Sequence, residues 1–95
     1  MLRRHKRNDH DQALLSRIRN VLRVHGCLRR DPGLLADDDD LYRAGMNAHA
    51  SANVMLALER EFDLEFPEQL LGPSLFGNIN AIAATLVELG AVHPR

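Results

Sequence analysis

Apolar positions in this chain recur at spacings of three and four in three places, and each place predicts a helix with one buried face. The first helix is predicted from about Asp9 to Cys27, with Leu14, Ile18, Val21, Leu22 and either Val24 or His25 inward. Asp9 and Asp11 suit the positive end of its dipole, Arg23 and His25 the negative end, and Gly26 is the stop signal. The second is predicted to open at Ala48, because Asn47 can cap a first-turn N–H and Gly45 permits a sharp turn just before it. At about 100° per residue, Val54, Leu58 and Phe62 fall within one arc, with Met55 at its margin. The opposite side carries His49, Asn53, Leu56 and Arg60, an exposed Leu among polar and small residues that suits a shallow docking face. The last helix is predicted to start at a Ser74 cap, to bury Ile79, Ile82, Ala83, Leu86 and Leu89, and to end at Gly90.

Between the helices, residues 26–40 form a long connection with a turn signal at Pro32-Gly33, and Leu34 and Leu35 are expected to pin it to the bundle. Pro67 is expected to start a short turn through Leu71, which Gly72-Pro73 breaks. No stretch reads as a strand and none repeats. The expected fold class is therefore all-α, a small bundle of three to four helices with a long first loop. Its domain would span 9–90, after a basic, disordered segment 1–8 and before a tail at 91–95.

Composition narrows this picture. Ninety-five residues make one domain, and with 45% apolar residues but three Phe, one Tyr and no Trp, the core must be Leu, Ile, Val and Ala. Cys27 stands alone, which excludes an internal disulfide, fits a reducing cytoplasm, and suggests a half-buried structural thiol. No apolar run is long enough to span a bilayer, and the basic start lacks the apolar region of a secretory signal.

The net charge of −1 conceals a division: residues 1–30 hold nine Lys/Arg against two Asp, and residues 31–95 hold eleven acids against three Arg. A basic helix beside acidic loops accounts for this. Nucleic acid is not an expected partner, because no aromatic stacking platform is present and the acidic remainder would repel phosphate. Asp37 to Asp40 lack the spaced oxygens and bidentate Glu of a calcium loop, and read as solvated loop and cap. No metal site is expected, since the five histidines form no ligand pair. Ser16, Ser51 and Ser74 occur in no nucleophile context, and no glycine-rich phosphate loop is present. No catalytic residue is expected, so the chain does not read as an enzyme.

The run from Leu41 to Leu71 resembles the acyl carrier protein family. The family pattern places an acid and Leu before Gly–apolar–Asp–Ser–apolar, then a helix of the form apolar–apolar–x–Ala–Leu–Glu–x–x–Phe and an acidic–apolar–Pro exit. Here these are Asp40-Leu41, Gly45-Met46-Asn47-Ala48-His49, Val54 to Phe62, and Glu65-Phe66-Pro67. Residues 41–52 more narrowly resemble the aminoacyl carrier proteins loaded by amino acid:carrier protein ligases that are similar to seryl-tRNA synthetases. The resemblance implies an acyl-carrier-protein-like bundle carrying an activated acyl group, here an aminoacyl thioester. The cargo would sit on a 4′-phosphopantetheine arm attached to the Ser that opens the second helix. It also implies three partners: that ligase, a phosphopantetheinyl transferase and a downstream acyl acceptor enzyme. A monomer without membrane contact is expected.

The departure falls on the attachment position, where the family's Asp-Ser is Asn47-Ala48. A methyl group cannot form a phosphodiester. Three readings of Ala48 stand: a substitution that keeps a carrier unmodified, a homologue that is never modified and acts as an interaction module or decoy, and transfer of the arm to Ser51 instead. Ser51 lies one turn into the helix, a poor place for a transferase to reach. The expected partner contacts are Gly45, Met46, Asn47, His49, Ala52, Asn53, Leu56 and Arg60. Their face is nearly neutral, which weakens steering by basic partner patches and favours reading by shape.

Overall fold

The computed structural model of the protein describes residues 11–72 and 74–90. Among them the secondary structure is helical, with α1 at Gln12–His25, α2 at Ala48–Phe62 and α3 at Ile79–Glu88. Single 3₁₀ turns occur at Pro32–Leu34 and Glu68–Leu70. The expected basic segment 1–8, the tail 91–95, a helix start at Asp9 and the break at Pro73 lie outside the described residues.

Leu14, Leu15, Ile18, Val21 and Leu22 are buried on α1, and both α2 and α3 pack on that helix. Two neighbours need a wider apolar arc than one, which is why Leu15 is buried beside Leu14 although the periodic stripe does not include it. Val24 instead is 73% exposed, and His25 takes the half-buried position at the end of the stripe. The start of α1 is capped by Asp11, whose carboxylate accepts the Ala13 N–H at 3.0 Å. Its end falls at His25 rather than Cys27. Gly26 closes the helix, its N–H donating to the Leu22 carbonyl at 2.8 Å, and the left-handed step falls on Cys27, at φ 56°. Cys27 is exposed, contrary to the half-buried position expected for it.

Val54, Leu58 and Phe62 are buried on α2 as the spacing predicts, joined by Ala50 and Ala57. Asp63 ends the helix in the left-handed region, and Glu59 turns back to accept the Phe66 N–H at 2.9 Å. Phe66 then packs edge-on against Phe76. This contact, with Leu75 also buried, keeps the chain in a turn until Asn78. Asn78, not Ser74, therefore caps α3, its side chain accepting the Ala81 N–H at 2.7 Å. Ile79, Ile82, Ala83 and Leu86 are buried, Leu89 is half-buried, and Gly90 leaves the helix at φ 87°.

The long first connection is held from both sides. Leu35, Leu41 and Met46 enter the core, while Leu34 is 70% exposed, so only one of the two expected pins holds. The reason is the 3₁₀ turn: Pro32 takes the buried place, and Leu34 is turned outward. Arg19 donates to the carbonyls of Pro32 and Leu35 and to the Asp37 carboxylate, the last at 2.8 Å. The backbone adds Leu41 N–H to Gly77 O and Asn80 N–H to Asp37 O.

Among the described residues, three ion pairs join the two sides of the charge division. Arg17, Arg19 and Arg23 of α1 meet Glu61, Asp37 and Asp31, each from the acidic part of the chain. Most are half-exposed surface pairs worth about 0–1 kcal/mol each, so they orient the connections more than they stabilise the fold. Two more aspartates of the run cap the backbone instead. Asp39 accepts the Ala36 N–H, and Asp40 accepts those of Tyr42 and Arg43.

Phe62 is 8% exposed, and the Arg17 guanidinium lies 4.2 Å above its ring. Phe62→Ala is expected to cost about 3–5 kcal/mol in urea unfolding, and a change near zero would remove Phe62 from the core. The Gly33 N–H and then the Arg23 guanidinium hold the Asp31 carboxyl below its ordinary range. A depressed carboxyl stabilises the fold above its unfolded pKa, and that share is lost as pH falls through the folded value. Asp31→Asn is therefore expected to unfold slightly earlier than the wild type at neutral pH. In denaturation curves across pH, that gap should close below about pH 4.

Candidate functional site

The candidate site is the start of α2 and the turn that delivers the chain to it. Asp40 caps the turn 40–43, Gly45 follows at φ 127°, and the Gly45 and Met46 N–H groups close on the carbonyls of Tyr42 and Leu41. A Cβ at Gly45 would lie 3.1 Å from the Arg29 nitrogen and 3.2 Å from the Cys27 carbonyl oxygen, so both φ and space call for glycine. Asn47 is extended, and its side-chain oxygen accepts the Ala50 N–H at 2.8 Å. The cap predicted from the sequence is thus in place. Ala48 is the first residue of α2 and is exposed.

Below Ala48 opens an apolar groove of about 580 Å³. Ala48, Ser51, Ala52 and Met55 of α2 form one wall, and Tyr42, Leu71, Gly72 and Phe76 complete it. The groove lies between α2 and the connections on either side of it, and no residue of α3 lines it. Ser51 is half-buried on it and donates its hydroxyl to the Ala48 carbonyl at 2.8 Å. That back-bond turns the hydroxyl along the helix.

The residues singled out from the sequence divide into three groups. His49, Asn53, Leu56 and Arg60 lie exposed along the outer side of α2, with Leu56 at 49%, and Ala52 is exposed at the groove. Gly45 and Asn47 shape the backbone, the first half-buried and the second exposed but occupied as the cap. Met46 corrects the expectation of a surface contact. It is 2% exposed, because the turn closed by Gly45 drives the next side chain into the core. Tyr42, Leu71, Gly72 and Phe76 were not identifiable in the sequence as groove residues. Met55, placed at the margin of the core stripe, was the single hint, since it follows Ala48 at helical spacing.

Among the described residues no group of three or more His, Cys, Asp or Glu is placed to hold a metal ion. None of the described helices is long and apolar enough to cross a membrane.

Comparison with known proteins places this geometry. Crystal structures of an engineered Bradyrhizobium japonicum glycine:[carrier protein] ligase, complexed with carrier protein from Agrobacterium tumefaciens and either AMP or ATP, contain a matching chain. With AMP the TM-score is 0.75 at 40% identity, covering 77% of this chain and 97% of that one. With ATP it is 0.77 at 39% identity, covering 79% and 97%. A solution structure from Agrobacterium tumefaciens gives 0.64 at 39% identity, covering 78% and 89%. The all-helical fold with its capped second helix is thus a carrier-protein fold. An aminoacyl carrier protein of Agrobacterium fabrum is 42% identical over 69 residues, which is 73% of this chain and 83% of that protein. The chain belongs to the aminoacyl carrier protein family. No family model matches it.

Proposed function

We propose that the chain is an aminoacyl-type carrier module whose attachment position is residue 48, and that with Ala48 it docks without carrying cargo. The observation that carries this reading is the position of Ala48. It is the first helical residue, exposed beyond an Asn cap, at the mouth of an apolar groove. A helix start with unpaired N–H groups favours an anionic phosphodiester by about 0.3–1 kcal/mol. The methyl of Ala48, however, offers no oxygen to form one. The nearest hydroxyl on α2, that of Ser51, is turned to the Ala48 carbonyl and is half-buried. The residues present do not fit a covalently held 4′-phosphopantetheine, and no loading step is assigned to this chain.

What remains available is the surface. The partner it suits best is an amino acid:carrier protein ligase, the kind of enzyme found in complex with the related carrier. A phosphopantetheinyl transferase and a downstream acyl acceptor would use the same helix start in a form with Ser at residue 48. On the outer side of α2, His49, Asn53, Leu56 and Arg60 present a nearly neutral stripe with one half-exposed Leu. A small, transient, shape-read contact fits such a stripe.

Two experiments test this. Intact mass after incubation with a broad phosphopantetheinyl transferase and coenzyme A should show one added arm on Ala48→Ser and none on this chain. Addition to both would move the attachment to Ser51 or another serine. Addition to neither, on folded protein, would leave an interaction module that was never a carrier. Leu56→Asp should keep the thermal midpoint within a few degrees, because the residue faces water, and should weaken ligase binding about tenfold. Unchanged binding in calorimetry would take Leu56 out of the interface.

A further inference from the structure

Behind the start of α2, the segment that leaves α1 is bound to the turn that enters α2, and Arg29 makes most of that connection. Its backbone N–H donates to the Ala44 carbonyl at 2.9 Å, and its Nη2 donates to the Arg43 carbonyl at 2.8 Å. Its stem also covers Gly45, where an added Cβ would come within 3.4 Å of the Arg29 Cγ. We propose that Arg29 is a positioning residue, a strap that fixes residues 43–47 and thereby presents the start of α2 to a partner. The proposal rests on the docking reading above and adds how the docking surface is set.

Three features support a positioning role over an ordinary surface arginine. Arg17, Arg19 and Arg23 each meet a carboxylate, whereas among the described residues Arg29 has none within ion-pair distance and spends its guanidinium on a carbonyl. The chain also accepts a left-handed residue that is not glycine, Cys27 at φ 56°, two positions before Arg29. Finally, the Arg29 side chain is exposed and adds nothing to the core, so its contacts act on the turn itself. A partner that reads residues 47–56 by shape binds only the fraction of molecules whose turn is already set, and the strap raises that fraction.

The competing role is direct ionic contact. Arg29, Arg30 and Arg43 border one concavity of about 400 Å³ with Asp38, Asp39 and Asp40, and the three cations could meet an acidic partner there. The mixed signs of that lining, three of each, and the Arg43 carbonyl already held by Arg29 favour the strap.

The test uses the full chain with a purified amino acid:carrier protein ligase and two variants. Arg29→Met keeps the stem over Gly45 and removes the guanidinium donors, and Arg29→Lys restores one donor. Arg29→Met should weaken ligase binding about fivefold, by the same factor at low and high salt. Amide exchange at Gly45 and Met46 should quicken while α3 stays protected, and Arg29→Lys should recover both. Wild-type exchange at Gly45 and Met46 in Arg29→Met would overturn the strap, whatever the ligase does. A binding loss that disappears at high salt would also overturn it, in favour of ionic contact. Raised exchange throughout α3 would overturn it as well, since Arg29 would then belong to global stability. Should the unaltered chain fail to bind ligase, the docking reading fails, and the exchange measurement still decides the strap.

Discussion

Everything in this fold depends on α1 burying apolar side chains against two helices at once. Leu14, Leu15, Ile18 and Leu22 are all at 2% exposure or less, and both α2 and α3 pack on the helix that carries them. Burial at roughly 25 cal/mol per Å² makes this stripe the main source of stability in a domain too small to hold a second core. It also dictates what α2 and α3 can do. Each packs on α1, and beside α2 the connections before and after it leave an open apolar groove. The polar flank of α1 has a different task. Its three arginines hold the first connection and the end of α2, so one helix organises the core with one side and the connections with the other.

That division explains what could be read from the sequence. Helices α2 and α3 were legible because their burial is one-sided, so Val54, Leu58 and Phe62, or Ile79, Ile82 and Leu86, repeat at clean helical spacing. Leu15 was not, because a helix with two neighbours buries an arc that a single stripe understates. The Asn47 cap was legible because a cap is a local hydrogen bond. The α3 cap was misassigned to Ser74, since two competent caps lie four residues apart and the choice is made by Phe66 packing on Phe76, a contact from outside the local window. Leu34 and Leu35 are adjacent and chemically identical, and only the 3₁₀ turn decides which one enters the core.

The site was legible in the same uneven way. Its backbone was readable: a glycine for the turn, an Asn for the cap, an alanine to open the helix. Its outer stripe followed from helical phase alone. Met46 was misplaced because its orientation is set by the Gly45 turn, whose shape depends on Arg29 and Cys27 arriving from the other side of the loop. The groove was invisible, since half of its lining comes from Tyr42, Leu71, Gly72 and Phe76, which share no period with α2.

The position of Ala48 shows how far fold and chemistry are separated in this molecule. A first-turn helical residue that is exposed makes no demand on the core, and the cap, the glycine turn and the Arg29 contacts hold the helix start without any atom of its side chain. Alanine is well tolerated in the first turn of a helix. A serine there would cost the helix at most about half a kcal/mol, and it would supply the oxygen that the methyl lacks. The fold is therefore nearly indifferent to which of the two stands at residue 48, whereas the attachment proposed there depends on it entirely. On the attachment proposed above, exchanging serine for alanine at residue 48 removes the oxygen and leaves the cap, the turn and the outer stripe of α2 as they are.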